Sequence, residues 1–160
     1  MKIYLPSQEI VRVPQGRVRL LWGDKDGNLK EVQDLHNLIT LAGRVSWAKA
    51  FRGETSNNQG IATYHALGTD DTAPDINDTT LGAELFRKLI SVRDNDGITA
   101  QFQTFFTTAE ANGTLKELGL FGDDATGTAD SGTLFAKLAI DRVKTSNDTL
   151  TVLHNVIFGG

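Results

Sequence analysis

Cysteine is absent from this chain, which removes disulfides, thiolate metal sites and cysteine nucleophiles together. No run approaches the ~18 consecutive apolar residues that a membrane-spanning helix needs, so the reading is of a protein with no membrane partner. A secretory leader is equally missing: Met1-Lys-Ile-Tyr-Leu-Pro6 breaks at proline before any apolar core forms. The chain is therefore expected to be made and kept in a cytoplasm. Basic residues are too few for a nucleic-acid surface, with 16 Lys and Arg against 20 Asp and Glu and a net charge of -4. Phosphate binding needs a local excess of positive charge. The densest basic group, Arg12, Arg17 and Arg19, alternates with apolar residues and reads as the solvated face of a strand. Two Trp and two Tyr leave no visible aromatic cleft for a sugar, and Trp22 and Trp47 both fall on apolar faces. There is no Gly-x-Ser-x-Gly elbow, no glycine-rich phosphate loop and no internal repeat.

What is present fits one domain, since a chain of 160 residues can bury roughly two thirds of its unfolded surface. Arg17-Val-Arg-Leu-Leu-Trp22 places Val18, Leu20 and Trp22 on one face, and Leu29 to Leu35 is its hairpin partner. Asp26-Gly27 between them supplies the positive-φ positions of a tight turn. Asp24, Asp26 and Asn28 also match the first, third and fifth positions of an EF-hand loop. That loop lacks the glutamate at position twelve and the flanking helices, so it reads as a turn. One helix follows at residues 38–52, capped by Asn37 and ended by Gly53, with Leu38, Leu41, Ala42, Val45, Ala48 and Phe51 at three- and four-residue steps. Gly43 within it costs about 1 kcal/mol relative to alanine, which points to close backbone packing.

Beyond residue 61 the pattern is strand after strand: Ile61 to Leu67, Leu85 to Val92, Ile98 to Phe106, Leu115 to Phe121, Leu134 to Ile140 and Thr149 to Phe158. Asp94 to Gly97 reads as a hairpin turn, and the last strand, apolar on both faces, reads as central or covered. The expected fold is mainly β, an antiparallel β-sandwich or flattened barrel of about seven to eight strands with one packed helix. Residues 1–16 read as an extended arm or edge strand, and 17–160 as the single sandwich domain. The polar stretches Glu54 to Gly60 and Asp70 to Asp78 read as exposed, mobile loops.

Candidate chemistry is sparse. His65 and His154 lie in strands that could pair side by side, but no sequence-local third ligand completes a zinc site, and His36 sits at the helix entrance. Glu84, Glu110 and Glu117 are the carboxylates that a glycosidase could pair. Asp70, Asp71, Asp75 and Asp78 in one loop, and Asp123, Asp124 and Asp130 in another, offer oxygen ligands without defined calcium spacing. The expectation is no enzyme, no metal and no cofactor.

Longer motifs carry a resemblance. Leu35-His-Asn-Leu-Ile-Thr-Leu-Ala-Gly43, Tyr64-His-Ala-Leu-Gly-Thr69, Asp78-Thr-Thr-Leu-Gly-Ala-Glu84 with Arg87 close behind, Glu110 to Phe121, Thr133 to Ile140 and Leu150 to Phe158 run in order from Leu35 onward. In this order the chain resembles a family of small tailed-bacteriophage virion proteins, closest to those encoded among tail and fibre genes. The resemblance implies a homo-oligomeric structural subunit of the tail, baseplate, neck or fibre-attachment apparatus. Such a subunit contacts other virion proteins and resides in the virion after assembly in the host cytoplasm. A capsid decoration protein is the alternative, and a host receptor- or carbohydrate-binding module is a second. Ile3, Tyr4, Leu5, Ile10, Val11 and Val13 are the residues expected to form an assembly arm, by strand addition across a neighbouring subunit, or else an ordinary edge strand.

Overall fold

A computed structural model describes residues 14–159. The six residues of the expected assembly arm, Ile3 to Val13, lie outside the described residues. Nine antiparallel strands form one curled sheet: β1 (Gln15–Asp24), β2 (Leu29–Ile39), β3 (Ala62–Gly68), β4 (Glu84–Leu89), β5 (Val92–Asp96), β6 (Thr99–Phe106), β7 (Gly113–Gly122), β8 (Thr133–Lys144) and β9 (Asp148–Ile157). Their spatial order is β4-β3-β7-β8-β2-β1-β9-β6-β5. A helix, α1 (Leu41–Phe51), follows β2. The mainly β fold with one helix is the one the alternation predicts.

The curl comes from β2. It pairs with β1 from Leu29 to Asn37, then touches β8 only at Leu38 and Ile39, so it joins two halves at an angle. The halves fold face to face. Val18, Leu20, Trp22, Phe106, Leu150 and Val152 from one half meet Leu67, Leu115, Leu118, Leu138 and Ile140 from the other in one buried cluster. At the far side the chain passes directly from one sheet edge to the other at Ile90-Ser91. There Ile90 N–H donates to Thr63 of β3 while Ser91 N–H donates to Gln103 of β6.

That crossing corrects two expectations. The strand read as Leu85 to Val92 is broken there, which raises the count to nine. Asp94 to Asp96 belong to β5, paired with Gln101, Ala100 and Thr99, and the turn is Gly97-Ile98, with Gly97 at φ 54°. No glycine or proline marks the break at Ile90, because it is imposed by closure of the sheet rather than by local turn chemistry.

The helix also departs from its expected limits. Leu38 and Ile39 are the last residues of β2, and the cap is Thr40, whose Oγ1 accepts from Gly43 N–H at 3.0 Å. Asn37 is a strand residue pointing into the core side. The helix rests on its small residues: Gly43 and Ser46 are buried, whereas Leu41, Val45 and Phe51 are exposed. A Cβ on Gly43 would lie 2.6 Å from the Phe135 carbonyl oxygen, so the glycine is what lets α1 sit against β8. Gly53, at φ 91°, follows the helix end and donates to Ala50.

The first hairpin forms as expected, with Gly27 at φ 86° in the turn. Asp24 there accepts from the Asp26 and Asn28 backbone amides and the Asn28 side chain. Those bonds, led by the Asn28 side chain, hold its carboxyl down at about 2. The carboxylate serves the turn.

Candidate functional site

Three sets of polar residues are drawn together by this fold, two buried and one open. The first is a relay through the sandwich. His65 of β3 and His154 of β9 come from opposite halves and are both fully buried. His65 Nε2 lies 3.3 Å from His154 Nδ1, and the rings stack with centroids 5.4 Å apart. The outer nitrogens are also engaged: His65 Nδ1 with Thr104 Oγ1 of β6 at 2.8 Å, and His154 Nε2 with the Asn37 amide of β2 at 2.6 Å. A neutral pair satisfies this chain end to end when Asn37 donates to His154, His154 Nδ1–H donates to His65, and His65 Nδ1–H donates to Thr104. Burial depresses both histidines, His65 well below its ordinary value, with His154 adding to the effect, and His154 to about 3. Gly16 leaves the room Asn37 needs, since a Cβ there would lie 1.3 Å from its Oδ1. The two histidines thus meet as the strand reading anticipated, and what they ligate is each other's ring and two side chains. Among the described residues no cluster of three His, Asp or Glu side chains is placed to hold a metal.

The second set fixes the loops over β3, β4, β7 and β8. Glu117 is buried and accepts from Gly82 N–H at 2.9 Å and Ala83 N–H at 2.8 Å, with the buried Lys137 amine 3.3 Å away. Lys137 also meets Asp78 at 3.1 Å. Burial opposes the charge on that amine, but Asp78 and Glu117 more than offset it and its pKa is raised. Glu84 and Arg87 form a bidentate pair at 2.6 and 2.7 Å, and Arg87 reaches on to the Thr126 and Ser131 carbonyls and lies over the Phe121 ring. Glu110 pairs with Lys88 at 2.6 Å and accepts from Thr107 N–H; burial alone would raise its pKa, but these bonds lower it. Lys144, buried, donates to Thr107 O and Asn112 Oδ1.

The three carboxylates weighed for glycoside cleavage are therefore each held by a different cation. Asp123 likewise binds Ser46 Oγ at 2.6 Å and Gly60 N–H at 2.8 Å, tying α1 to the end of the Glu54 to Gly60 loop. That loop is exposed from Thr55 to Asn58, as expected, and tethered at Gln59 and Gly60. Asp130 sits against Glu84, and burial first, then that neighbouring charge, raise its pKa.

The third set is open. The outer face of β2, β1, β9, β6 and β5 is concave and encloses a groove of about 720 Å³. The register lines up His36, Arg17, Asn155, Gln101 and Asp94 in one row across the five strands, and Asp34, Arg19, Leu153, Gln103 and Val92 in the next. Arg19 and Asp34 form an exposed bidentate pair. Such a surface offers amide, guanidinium and carboxylate groups for hydrogen bonding. Within it there is no nucleophile held by a base. The alternation at Arg17 and Arg19 did place these side chains on a solvated face, but nothing in the sequence signals that the face is concave. His36 belongs here, four residues before the helix cap, and not at the helix entrance.

Comparison of the chain with protein-family models, with curated proteins and with solved structures finds no match in any of the three.

Proposed function

We propose that the chain is a structural subunit of a tailed-bacteriophage particle, in the tail, baseplate, neck or fibre-attachment apparatus, and that it acts through protein–protein contacts. The motif resemblance supplies the particle. The observation that carries the role is apolar surface left open on a sandwich whose core is already closed. Leu85 and Leu89 are exposed on the edge strand β4, and Leu41, Val45 and Phe51 on α1. Apolar side chains exposed together on one element in this way mark contact with another protein, and an edge strand can extend a neighbour's sheet. The polar residues of the core and loops support the same role, because each buried carboxylate or histidine is engaged in holding the scaffold. Image reconstruction of whole particles tests the reading: density for the chain is expected at a fixed position along the tail axis. Density on the head lattice would assign it to capsid decoration instead. Mass spectrometry of purified particles that contains no peptide of this chain would end the virion reading.

The concave groove favours a second reading, a module for a host glycan. Its row of Arg17, Asn155, Gln101 and Asp94 presents planar polar groups of the kind that hydrogen-bond sugar hydroxyls. Loss of cell adsorption in a Gln101→Ala, Asn155→Ala variant, with particles still assembling, would favour it over a purely structural role.

A further inference from the structure

One side of α1 is spoken for and the other is bare. Gly43 and Ser46 face β8 and Asp123, and Trp47 packs on Phe135 and Phe158 with ring centroids 5.5 and 5.4 Å apart. Leu41, Val45 and Phe51 turn outward, 50%, 46% and 83% exposed, with Ala48 exposed between them. Spaced at four and three residues, they form a continuous apolar stripe along the helix.

The first described residues lie at the same end of the sandwich. Gln15 pairs with Ile157 and Gly16 with Asn37, and the helix cap lies three residues beyond Asn37. Ile157 is followed by Phe158, which packs on Trp47 of the helix and donates its N–H to Ile98, itself exposed. The described chain thus starts at Pro14, at the end of the sandwich that carries α1, and the thirteen residues that precede it in the sequence are rich in apolar side chains at Ile3, Tyr4, Leu5, Ile10, Val11 and Val13. Fully extended, they reach about 43 Å. The 11-residue helix spans about 16 Å. The segment is more than twice as long as its own helix requires, a surplus suited to reaching a neighbouring copy. The two sides of β1 are already paired, with β2 and β9, so the segment has no vacant sheet position beside its own root.

We propose that the exposed face of α1 is the docking surface for residues 1–13 of a second copy of this chain, so that copies are joined by exchanged N-terminal segments. This rests on the reading of the chain as an assembly subunit and names the contact. The occupant is apolar, like the surface, and exchange of identical segments gives every copy the same pair of contacts, as a closed homo-oligomer demands.

The absence of native cysteine makes the test direct. Single-cysteine variants are made on the helix, Val45→Cys and Phe51→Cys, and on the segment, Leu5→Cys, Ile10→Cys and Val11→Cys, each set with its own tag. Co-expressed and mildly oxidised, a helix variant and a segment variant are expected to form a disulfide between differently tagged chains. The full chain should sediment as an oligomer, and deletion of residues 1–13 should convert it to monomer with unchanged circular dichroism. A disulfide that forms only within one chain, in variants carrying both cysteines, overturns the exchange. So does no cross-link from any pairing, or a full-length chain that is monomeric at tens of micromolar. All of this uses the purified chain, so a particle that proves to lack the protein would overturn the virion reading without touching this result.

Discussion

Acid should loosen this protein well before its carboxylates titrate, and the His65–His154 relay gives the size of the effect. Both histidines are neutral when folded, depressed first by burial, with His154 held to about 3. In the unfolded chain each returns to an ordinary value near 6.5. The unfolded state therefore binds more protons below that value, and stability present at neutral pH is lost as pH falls. Each group contributes a slope of about 1.4 kcal/mol per pH unit once the unfolded histidine is charged. Between pH 7.5 and 5.5 the two together should remove about 2 to 3 kcal/mol, a large part of the ~5–15 kcal/mol of a typical domain. Among the described residues no group beside the pair is placed to stabilise a proton on it: Lys88, opposite His65 across the β3–β4 pairing, is a cation and is held by Glu110. Depressed carboxyls such as Asp24, at about 2, release their contribution only at lower pH, and Asp130, raised by burial, adds stability as pH falls, so a loss over the interval belongs to the histidines. The measurement is urea unfolding at several pH values between 7.5 and 5.5, for the wild type and for His154→Gln, which cannot titrate. The wild type should lose stability along the interval and the variant should lose it about half as steeply. A wild-type stability that stays flat down to pH 5.5 would refute the reasoning, since it would mean that the folded pair binds protons as readily as the unfolded chain does.

Gly43→Ala should destabilise by about 1 to 3 kcal/mol, because overpacking against the Phe135 backbone outweighs the roughly 1 kcal/mol that alanine gains in a helix; a rise in melting temperature would contradict the contact. Glu117→Gln should cost about 2 to 4 kcal/mol by leaving Lys137 with Asp78 alone, and amide exchange at Gly82 and Ala83 should accelerate while β7 stays protected. Arg87→Lys keeps the charge but loses the fork that spans Glu84, Thr126 and Ser131, so limited proteolysis should shift to cleavage within residues 123–132.

How much of this was legible in the sequence depended on whether the deciding interaction was local. The β1–β2 hairpin was, because alternation set the faces and Asp26-Gly27 set the turn. The helix was legible as a helix, but its face was inverted. Periodicity registers hydrophobicity, whereas α1 packs through its smallest residues because the contact is at backbone distance from Phe135. Gly43 is the one local sign of this. The break between β4 and β5 had no local sign. The carboxylates Glu84, Glu110 and Glu117 are legible as residues on or beside strands, and Arg87 lies only three residues from Glu84 on β4, but Lys88 and Lys137, which hold Glu110 and Glu117, come from other strands, which a single sequence does not display. His65 and His154 were placed in the right strands; that Thr104 and Asn37 would complete their hydrogen bonds was decided by how the two halves of the sheet face each other.

The same relay helps explain why this sheet has one register. On β9 Leu150, Val152 and Val156 point inward, while the outward set holds Leu153 and Ile157 beside Thr151 and Asn155, so a one-residue slip would still present some hydrophobic side chains to the core. Hydrophobic patterning therefore specifies this strand only in part, although it lies between β1 and β6 and both depend on it. A slip would turn His154 outward and bring Leu153 or Asn155 into its place. His65 Nε2 and the Asn37 amide would then be left buried without their partner, while Thr104 keeps its bond to His65, at about 1 to 3 kcal/mol for each unsatisfied group. Two such groups add to the apolar burial that the slip would lose. The buried polar chain, which makes the fold vulnerable to acid, is in this respect the feature that selects the native pairing over its nearest alternative.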